Sequence, residues 1–256
     1  MKITYVSKHG LTKEESQDCI LVNDKVINNH AGILDVPLQR LCIADGVGGV
    51  PGGYEPSSFV LNNFAEVSGY KTGEDLKKCL VNINEDLIYY AAGLEEKRAM
   101  ATTVTGLARI ENELWVMHAG NTRLYTFGAG LPNKRLKQIT KDHTNYQAMV
   151  VDGSIEMPKS DTDNSAILAK NVIYCCFGTG NREYLDALQV EKLQMSDVPE
   201  LFMLTSDGIH DYVDAERIEQ ILADNLDDRN KILALLDAAA EGGSSDDCTI
   251  VIARVK

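Results

Sequence analysis

No apolar run in this chain approaches the length needed to cross a bilayer, and neither a low-complexity linker nor an internal repeat divides it. Its opening residues carry neither the apolar core nor the small-residue exit of a secretory leader. We therefore expect a soluble, cytoplasmic chain in which residues 1–256 form one domain, long enough to bury one substantial core. Basic residues are in deficit: 25 Lys and Arg stand against 38 Asp and Glu, for a formal net charge of −13. That balance repels a phosphate backbone, so no nucleic acid is expected as a partner, and no membrane either. The cysteines at 19, 42, 79, 175, 176 and 248 include no CxxC pair, and most fall in apolar runs. This is the pattern of reduced, buried thiols. Glycines 46, 48, 49, 52 and 53 lead into no Gly-Lys-Ser/Thr phosphate loop and do not spell a dinucleotide fingerprint.

What is present is a series of short apolar runs. Residues 2–6, 18–23, 41–44, 102–108, 114–118, 124–127, 172–176, 202–205 and 249–255 read as strands. Turns are expected at Glu111-Asn112, Gly120-Asn121 and Gly242 to Ser245. A helix is expected to begin near Glu55. Leu76, Leu80, Ile83 and Leu87 recur at helical spacing and predict a second, with one face on a sheet. Ile218, Ile221 and Leu222 mark a third, and Ile232, Leu235 and Leu236 a fourth. Residues 144–170, with Gly153, Pro158 and several Asp and Ser, read as a long loop or flap. Two packed sheets with helices on both outer faces would bury these surfaces, an α+β arrangement.

The chemistry-bearing feature is a set of acidic turns at the ends of apolar runs. Asp45-Gly46 follows Leu41 to Ala44, Asp207-Gly208 follows Phe202 to Ser206, and Asp246-Asp247 opens the last run. A strand end holds a carboxylate in place, and the following glycine lets backbone approach an ion. Converged, such turns would form an oxygen-rich site suited to hard divalent cations, Mn²⁺ or Mg²⁺. Bound ions of this kind activate water and oppose phosphate charge.

The ordered motifs resemble the metal-dependent protein phosphatases of type 2C, in particular the compact bacterial serine/threonine phosphatases. Ser16-Gln17-Asp18 matches their first acidic motif, and Ala44-Asp45-Gly46-Val47-Gly48-Gly49 with Gly52-Gly53 the second. Ala101-Thr102-Thr103, Ala119-Gly120-Asn121-Thr122-Arg123, Thr140 to His143 and Asn171 to Gly178 resemble intermediate segments. Thr205-Ser206-Asp207-Gly208 with Asp211-Tyr212-Val213, and Ser245-Asp246-Asp247-Cys248-Thr249, match the late ones. The resemblance spans nearly the whole chain. It implies a four-layer α-β-β-α sandwich with two central, mainly antiparallel sheets and a metal centre at the tops of the sheets.

The same resemblance implies the roles. Asp45 would bridge two Mn²⁺ or Mg²⁺ ions, and Gly46 would offer a carbonyl to the second. Asp207 and Asp246 would ligate the first, Gln17 would stand at a second-ion ligand position, and Asp18 would support through water. Lys13 would meet the substrate phosphate. The implied activity is hydrolysis of phosphoserine or phosphothreonine in proteins by metal-activated water, opposing a serine/threonine kinase in signalling. Several positions depart from the pattern. Gln17 replaces a glutamate, Lys13 an arginine, Asn121 an aspartate and Asp247 an asparagine, while Val47 stands where some relatives carry histidine. An uncharged Gln17 supplies less to an ion, and lysine cannot reproduce the guanidinium fork. These departures define the alternative, a catalytically weak phosphatase-like module that binds phosphoproteins. Asp247 would either offset the charge missing at residue 17 or face solvent.

Overall fold

The computed structural model describes residues 1–47, 54–94, 100–128, 136–151, 172–179, 182–194 and 199–255, with only the backbone of Arg182. The strands in chain order are β1 (Lys2–Lys8), β2 (Asp18–Val22), β3 (Lys25–Ile27), β4 (Ala31–Asp35), β5 (Arg40–Asp45), β6 (Ala101–Thr102) and β7 (Val104–Ile110), then β8 (Glu113–Ala119), β9 (Arg123–Phe127), β10 (Leu136–Gln138), β11 (Phe177–Gly178), β12 (Gln189–Lys192), β13 (Leu201–Thr205) and β14 (Cys248–Arg254). The helices are α1 (Tyr54–Glu66), α2 (Gly73–Ala92), α3 (Asn145–Val151), α4 (Asp207–His210), α5 (Ala215–Ala223) and α6 (Asp228–Glu241).

Side-chain alternation along the central strands dictates the layers. In β13 Phe202 and Leu204 join one apolar cluster while Leu201 and Met203 join another; β14 splits Val251 and Ala253 from Ile250 and Ile252 in the same way. In β2 and β5, Ile20, Val22, Leu41 and Ile43 share the first of these clusters, whereas Cys19, Leu21, Cys42 and Ala44 join a third. Strands apolar on both faces must be covered on both. The shared cluster is the seam between two sheets, and the other two lie under helices: α1 and α2 on one side, α5 and α6 on the other. This is the expected four-layer α-β-β-α sandwich.

Among the described residues each large sheet has six strands, in the orders β10-β9-β13-β14-β1-β4 and β12-β8-β7-β5-β2-β3, and every pairing is antiparallel. Helix α2 forms where the spacing predicted it, with Leu76, Leu80, Ile83 and Leu87 buried. Its start is fixed by a reciprocal cap in which the Asp75 N–H donates to Thr72 Oγ1 and the Thr72 N–H donates to Asp75. The end of α1 is held by Arg40, whose guanidinium donates to the Ala65 and Val67 carbonyls and lies over the Phe64 ring.

One expected strand is displaced. Residues 172–176 form no strand beyond a single bridge from Ile173 to Thr144; β11 begins at Phe177 and pairs with β6. Cys175 and Cys176 are both buried, and the Cys176 N–H donates to the Tyr184 carbonyl rather than to a neighbouring strand. The chain bends there instead. Of the flap expected over 144–170, residues 145–151 form α3, and 152–170 lie outside the described residues.

Gly106 of β7 lies against β5, where a Cβ would come 2.3 Å from the Leu41 carbonyl oxygen and 2.7 Å from Cys42 Sγ. Backbone cannot yield as a flexible side chain does. Gly106→Ala is therefore expected to cost about 1–3 kcal/mol by overpacking, read as a lower urea midpoint with unchanged slope.

Candidate metal centre

Antiparallel pairing carries the acidic turns to one end of the sandwich. Asp45 ends β5 and stands opposite Asp18, the first residue of β2. Asp207 follows β13 and Asp246 precedes β14; these strands pair antiparallel with Thr205 opposite Ile250, so both residues emerge at the same end of the second sheet. There, Lys13, Gln17, Asp45, Gly46, Val47, Thr103, Asn121, Asp207, Asp211 and Asp246 line one cleft of about 290 Å³. Every expected site residue except Asp18 lines it. Gly48, Gly49, Gly52 and Gly53 lie outside the described residues.

Neighbouring backbone fixes each carboxylate. The Asp45 carbonyl accepts from the Thr103 N–H and the Thr102 hydroxyl, both at 2.8 Å, while the Asp45 N–H donates to Thr103 Oγ1. The Ala101-Thr102-Thr103 segment thus acts as a clamp on the second acidic turn. Gly46 N–H donates to the Gln17 carbonyl at 3.2 Å, joining the first two motifs. Ser57 of α1 donates to that same carbonyl at 2.6 Å, and Asn28 donates to the Ser16 and Asp18 carbonyls at 2.7 Å. Sequence reasoning assigned nothing to Ser57 or Asn28. Gly208 lies so close to the Asp247 carbonyl that a Cβ would come within 2.0 Å, and Gly10 packs on the Ser245 carbonyl from the other side. The two glycines let the strip before β14 run between Gly10 and the Asp207-Gly208 turn.

Burial and mutual repulsion raise the carboxylate pKa values. Asp45 is lifted well above the ordinary range by desolvation, then by Asp18, Asp207 and Asp246. Desolvation likewise raises Asp207, followed by Asp211 and Asp246. Asp18 is 1% exposed, and neither of its carboxylate oxygens accepts a hydrogen bond among the described residues. Desolvation pushes it upward, and the nearby Thr249 and Ser206 hydroxyls oppose the shift without reaching bonding geometry.

The substituted positions form their own contacts. Asp247 does not face solvent: it is buried, and its Oδ1 accepts from the Gly10 N–H at 2.8 Å while its Oδ2 accepts from the Gln17 N–H at 2.9 Å and from Lys13 Nζ at 2.8 Å. Lys13 Nζ also donates to Asp246 Oδ1 and Gln17 Oε1. Asn121 Nδ2 donates to Asp207 Oδ2 at 2.9 Å, and its buried Oδ1 has no hydrogen-bond partner among the described residues.

Behind the cleft runs a buried polar chain. Thr103 Oγ1 meets Thr122 Oγ1 at 3.3 Å, Thr122 Oγ1 donates to Thr105 Oγ1 at 2.7 Å, and Thr105 Oγ1 meets His118 Nδ1 at 2.7 Å. His118 Nε2 faces the Lys141 carbonyl at 2.8 Å. A carbonyl only accepts, so the proton sits on Nε2 and Nδ1 accepts from Thr105. The His143 ring packs 4.5 Å from the His118 ring, and its Nδ1 accepts from the Gly120 N–H. Arg123 holds Asp142 through a two-nitrogen fork, joining two of the intermediate motifs. These histidines organise the support of the site and stand away from the cleft.

Whether oxygen-bound divalent ions suit this cleft is decided by its donors. Among the described residues no group of three or more His, Cys, Asp or Glu side chains is placed so as to hold a metal ion by itself. The cleft nevertheless gathers Asp45, Asp207 and Asp246 with the Gln17 amide, and an unbonded Asp18 carboxylate lies behind them. This all-oxygen set, whose charges raise one another's pKa, fits Mg²⁺ or Mn²⁺.

Known proteins place the fold. No family model matches the chain. In sequence it is 25% identical over 218 residues to the serine/threonine phosphatase Stp of Listeria monocytogenes, covering 82% of each chain. It is 29% identical over 253 residues to the serine/threonine protein phosphatase PstP of Mycobacterium tuberculosis, covering 97% of this chain and 44% of PstP. In structure it matches the phosphatase Stp1 of Staphylococcus aureus with a TM-score of 0.79 at 21% identity, over 99% of this chain and 94% of that one. A PstP catalytic domain in complex with two manganese ions matches with a TM-score of 0.70 at 23% identity, over 99% of both chains. In fold and in sequence this chain is similar to bacterial serine/threonine phosphatases.

Two outcomes test this geometry. Burial lowers the pKa of His118 to about 3, helped by the adjacent His143, and burial lowers His143 to about 4. These two rings then bind fewer protons in the folded protein than in the unfolded chain below the ordinary histidine pKa of 6.5. The stability these residues contribute is complete above that pH and is lost as pH falls towards 4 and 3. His118→Gln is expected to flatten this acid-side loss in urea titrations compared across pH. Asn121→Asp would set a carboxylate against Asp207 in place of a donor. It should lower metal-free stability at pH 8 by about 1–3 kcal/mol, with added Mn²⁺ recovering the loss in thermal melts.

Proposed function

We propose that this protein is a metal-dependent phosphatase that hydrolyses phosphoserine and phosphothreonine esters in proteins. The observation that carries the reading is the gathering of Asp45, Asp207, Asp246 and Gln17 from both sheets around one cleft, with Asp18 unbonded behind them. Desolvation and neighbouring carboxylates raise the pKa values of Asp45 and Asp207, so a cation is needed for them to be ionised together.

In this reading Asp45, the Gly46 carbonyl, Asp207, Asp246 and Gln17 hold two Mn²⁺ or Mg²⁺ ions. When bound, such ions supply the Lewis acidity that activates water and offsets phosphate charge. The chain's own residues supply position. Thr102 and Thr103 hold the Asp45 backbone, Asn121 turns Asp207 into the cleft, and Asp18 backs Asp45 with unassigned acceptor capacity. Lys13 stands at the rim as the cation for the substrate phosphate. No nucleophilic side chain is required.

The substrate is a phosphorylated protein, and the counterpart in the cell is a serine/threonine kinase. A signalling role in the cytoplasm belongs to the same proposal. It is supported by six unpaired cysteines and by the lack, among the described residues, of any helix long and apolar enough to cross a membrane. The names of the relatives support the activity, although the chain spans less than half of PstP. One observation favours the second reading, a phosphoprotein-binding module of low turnover: Gln17 is uncharged, and the Lys13 ammonium already bonds two cleft oxygens.

Hydrolysis of a phosphothreonine peptide, measured with Mn²⁺, with Mg²⁺ and with chelator, separates the readings. Turnover is expected only with metal. Asp207→Ala should remove it by at least about a hundredfold, the scale of losing one group that stabilises the transition state. Folded wild-type protein without turnover at high Mn²⁺ would favour the binding module.

A further inference from the structure

Three substitutions that look independent in sequence meet at one atom. Lys13 Nζ carries three protons, and three oxygens take them: Gln17 Oε1 at 3.0 Å, Asp246 Oδ1 at 2.9 Å and Asp247 Oδ2 at 2.8 Å. Two of these acceptors, Gln17 and Asp246, are ligands in the proposed metal centre, on which this inference rests. The third lies outside it. We infer that the Lys13 ammonium is a tethered cationic plug: it competes with a divalent ion for Asp246 and Gln17, and Asp247 retains it when the ion displaces it.

The argument is one of space and charge. An ion on Asp246 Oδ1, or one on Gln17 Oε1, would sit about 2 Å from that oxygen. The ammonium nitrogen lies at 2.9 and 3.0 Å from those same atoms. Ion and ammonium would then draw on the same oxygen with like charges facing each other, so each weakens the other's hold on it. Asp247 is built to stay where it is. It is 2% exposed and anchored by the Gly10 and Gln17 N–H groups, so its carboxylate remains a counter-charge for Lys13 whether or not Asp246 is engaged. The lysine side chain is itself 30% exposed and has room to swing towards the cleft mouth. Displacement by metal would free two ammonium protons to face a phosphate. The plug thereby links metal loading to the readiness of the substrate-binding cation, and a neutral glutamine at residue 17 leaves Asp246 as the single charge over which ion and lysine contend.

Calorimetric titration of Mn²⁺ into metal-stripped protein reads this without any turnover. Lys13→Met removes the plug. Because it also strands the buried Asp247 carboxylate, Lys13→Met/Asp247→Asn is measured beside it, and the folding of both is checked by thermal melts. The double variant is expected to bind Mn²⁺ about tenfold or more tightly than the wild type, the scale of removing a charged competing hydrogen bond, or to take up an additional ion per chain. Unchanged or weaker binding in the folded double variant overturns the plug. Asp207→Ala tests the underlying reading separately. If it loses Mn²⁺ while the double variant matches the wild type, the metal centre stands and the plug alone falls. If neither the wild type nor the double variant binds Mn²⁺, both fall. Binding acquired only by the double variant supports both.

Discussion

Repulsion among carboxylates held in a low-dielectric cleft is the constraint on which this end of the molecule depends. Asp18, Asp45, Asp207 and Asp246 arrive from four separate turns, and desolvation raises the pKa of the first three while their neighbours add to it. A fold that forces such groups together must fix them rigidly or lose them to solvent. The surrounding bonds do the first: Thr102 and Thr103 on the Asp45 backbone, Asn28 and Ser57 on the first motif, and Ser206 on the Thr249 N–H behind the last one. The polar chain from Thr103 to His118 extends that fixing into the seam between the sheets.

The four-layer sandwich is the means by which the constraint is imposed. Each large sheet contributes two acidic turns at one end, and antiparallel pairing brings them level. Apolar side chains on both faces of β2, β5, β13 and β14 bury those strands completely, so a carboxylate at a strand end inherits the rigidity of the core. The site is thereby positioned by packing that contains no chemistry of its own.

Departures from the family pattern form a connected set. Lys13, Gln17 and Asp247 share hydrogen bonds, and Asp247 also anchors the loop that carries the other two. An aspartate where relatives carry asparagine is matched by the lysine ammonium beside it, which the Asp246 and Asp247 carboxylates keep protonated against the opposing effect of burial. Asn121 belongs to a different contact, directing its amide at Asp207. Together, three of them place one lysine ammonium among Gln17, Asp246 and Asp247.

The sequence by itself determined the parts whose information is local. Helical spacing located α2 to within a few residues, short apolar runs located most central strands, and the acidic turns named Asp45, Asp207 and Asp246, which line the cleft. Edge strands β3, β4, β10 and β12 were not legible, because three to five residues of mixed polarity become strands only when a neighbour supplies hydrogen bonds. Neither was the bend at Tyr174-Cys175, where an apolar run looked like a strand but finds no neighbouring strand to pair with beyond the bridge at Ile173. Tertiary structure alone decided that Asp247 is buried rather than solvated, that Asn28 and Ser57 serve the first motif, and that the Lys13 ammonium lies on Gln17, Asp246 and Asp247. Lys13 and Asp246 are 233 positions apart. A local pattern specifies which groups a turn presents, but which charges neutralise one another is fixed only when strand pairing sets their distances.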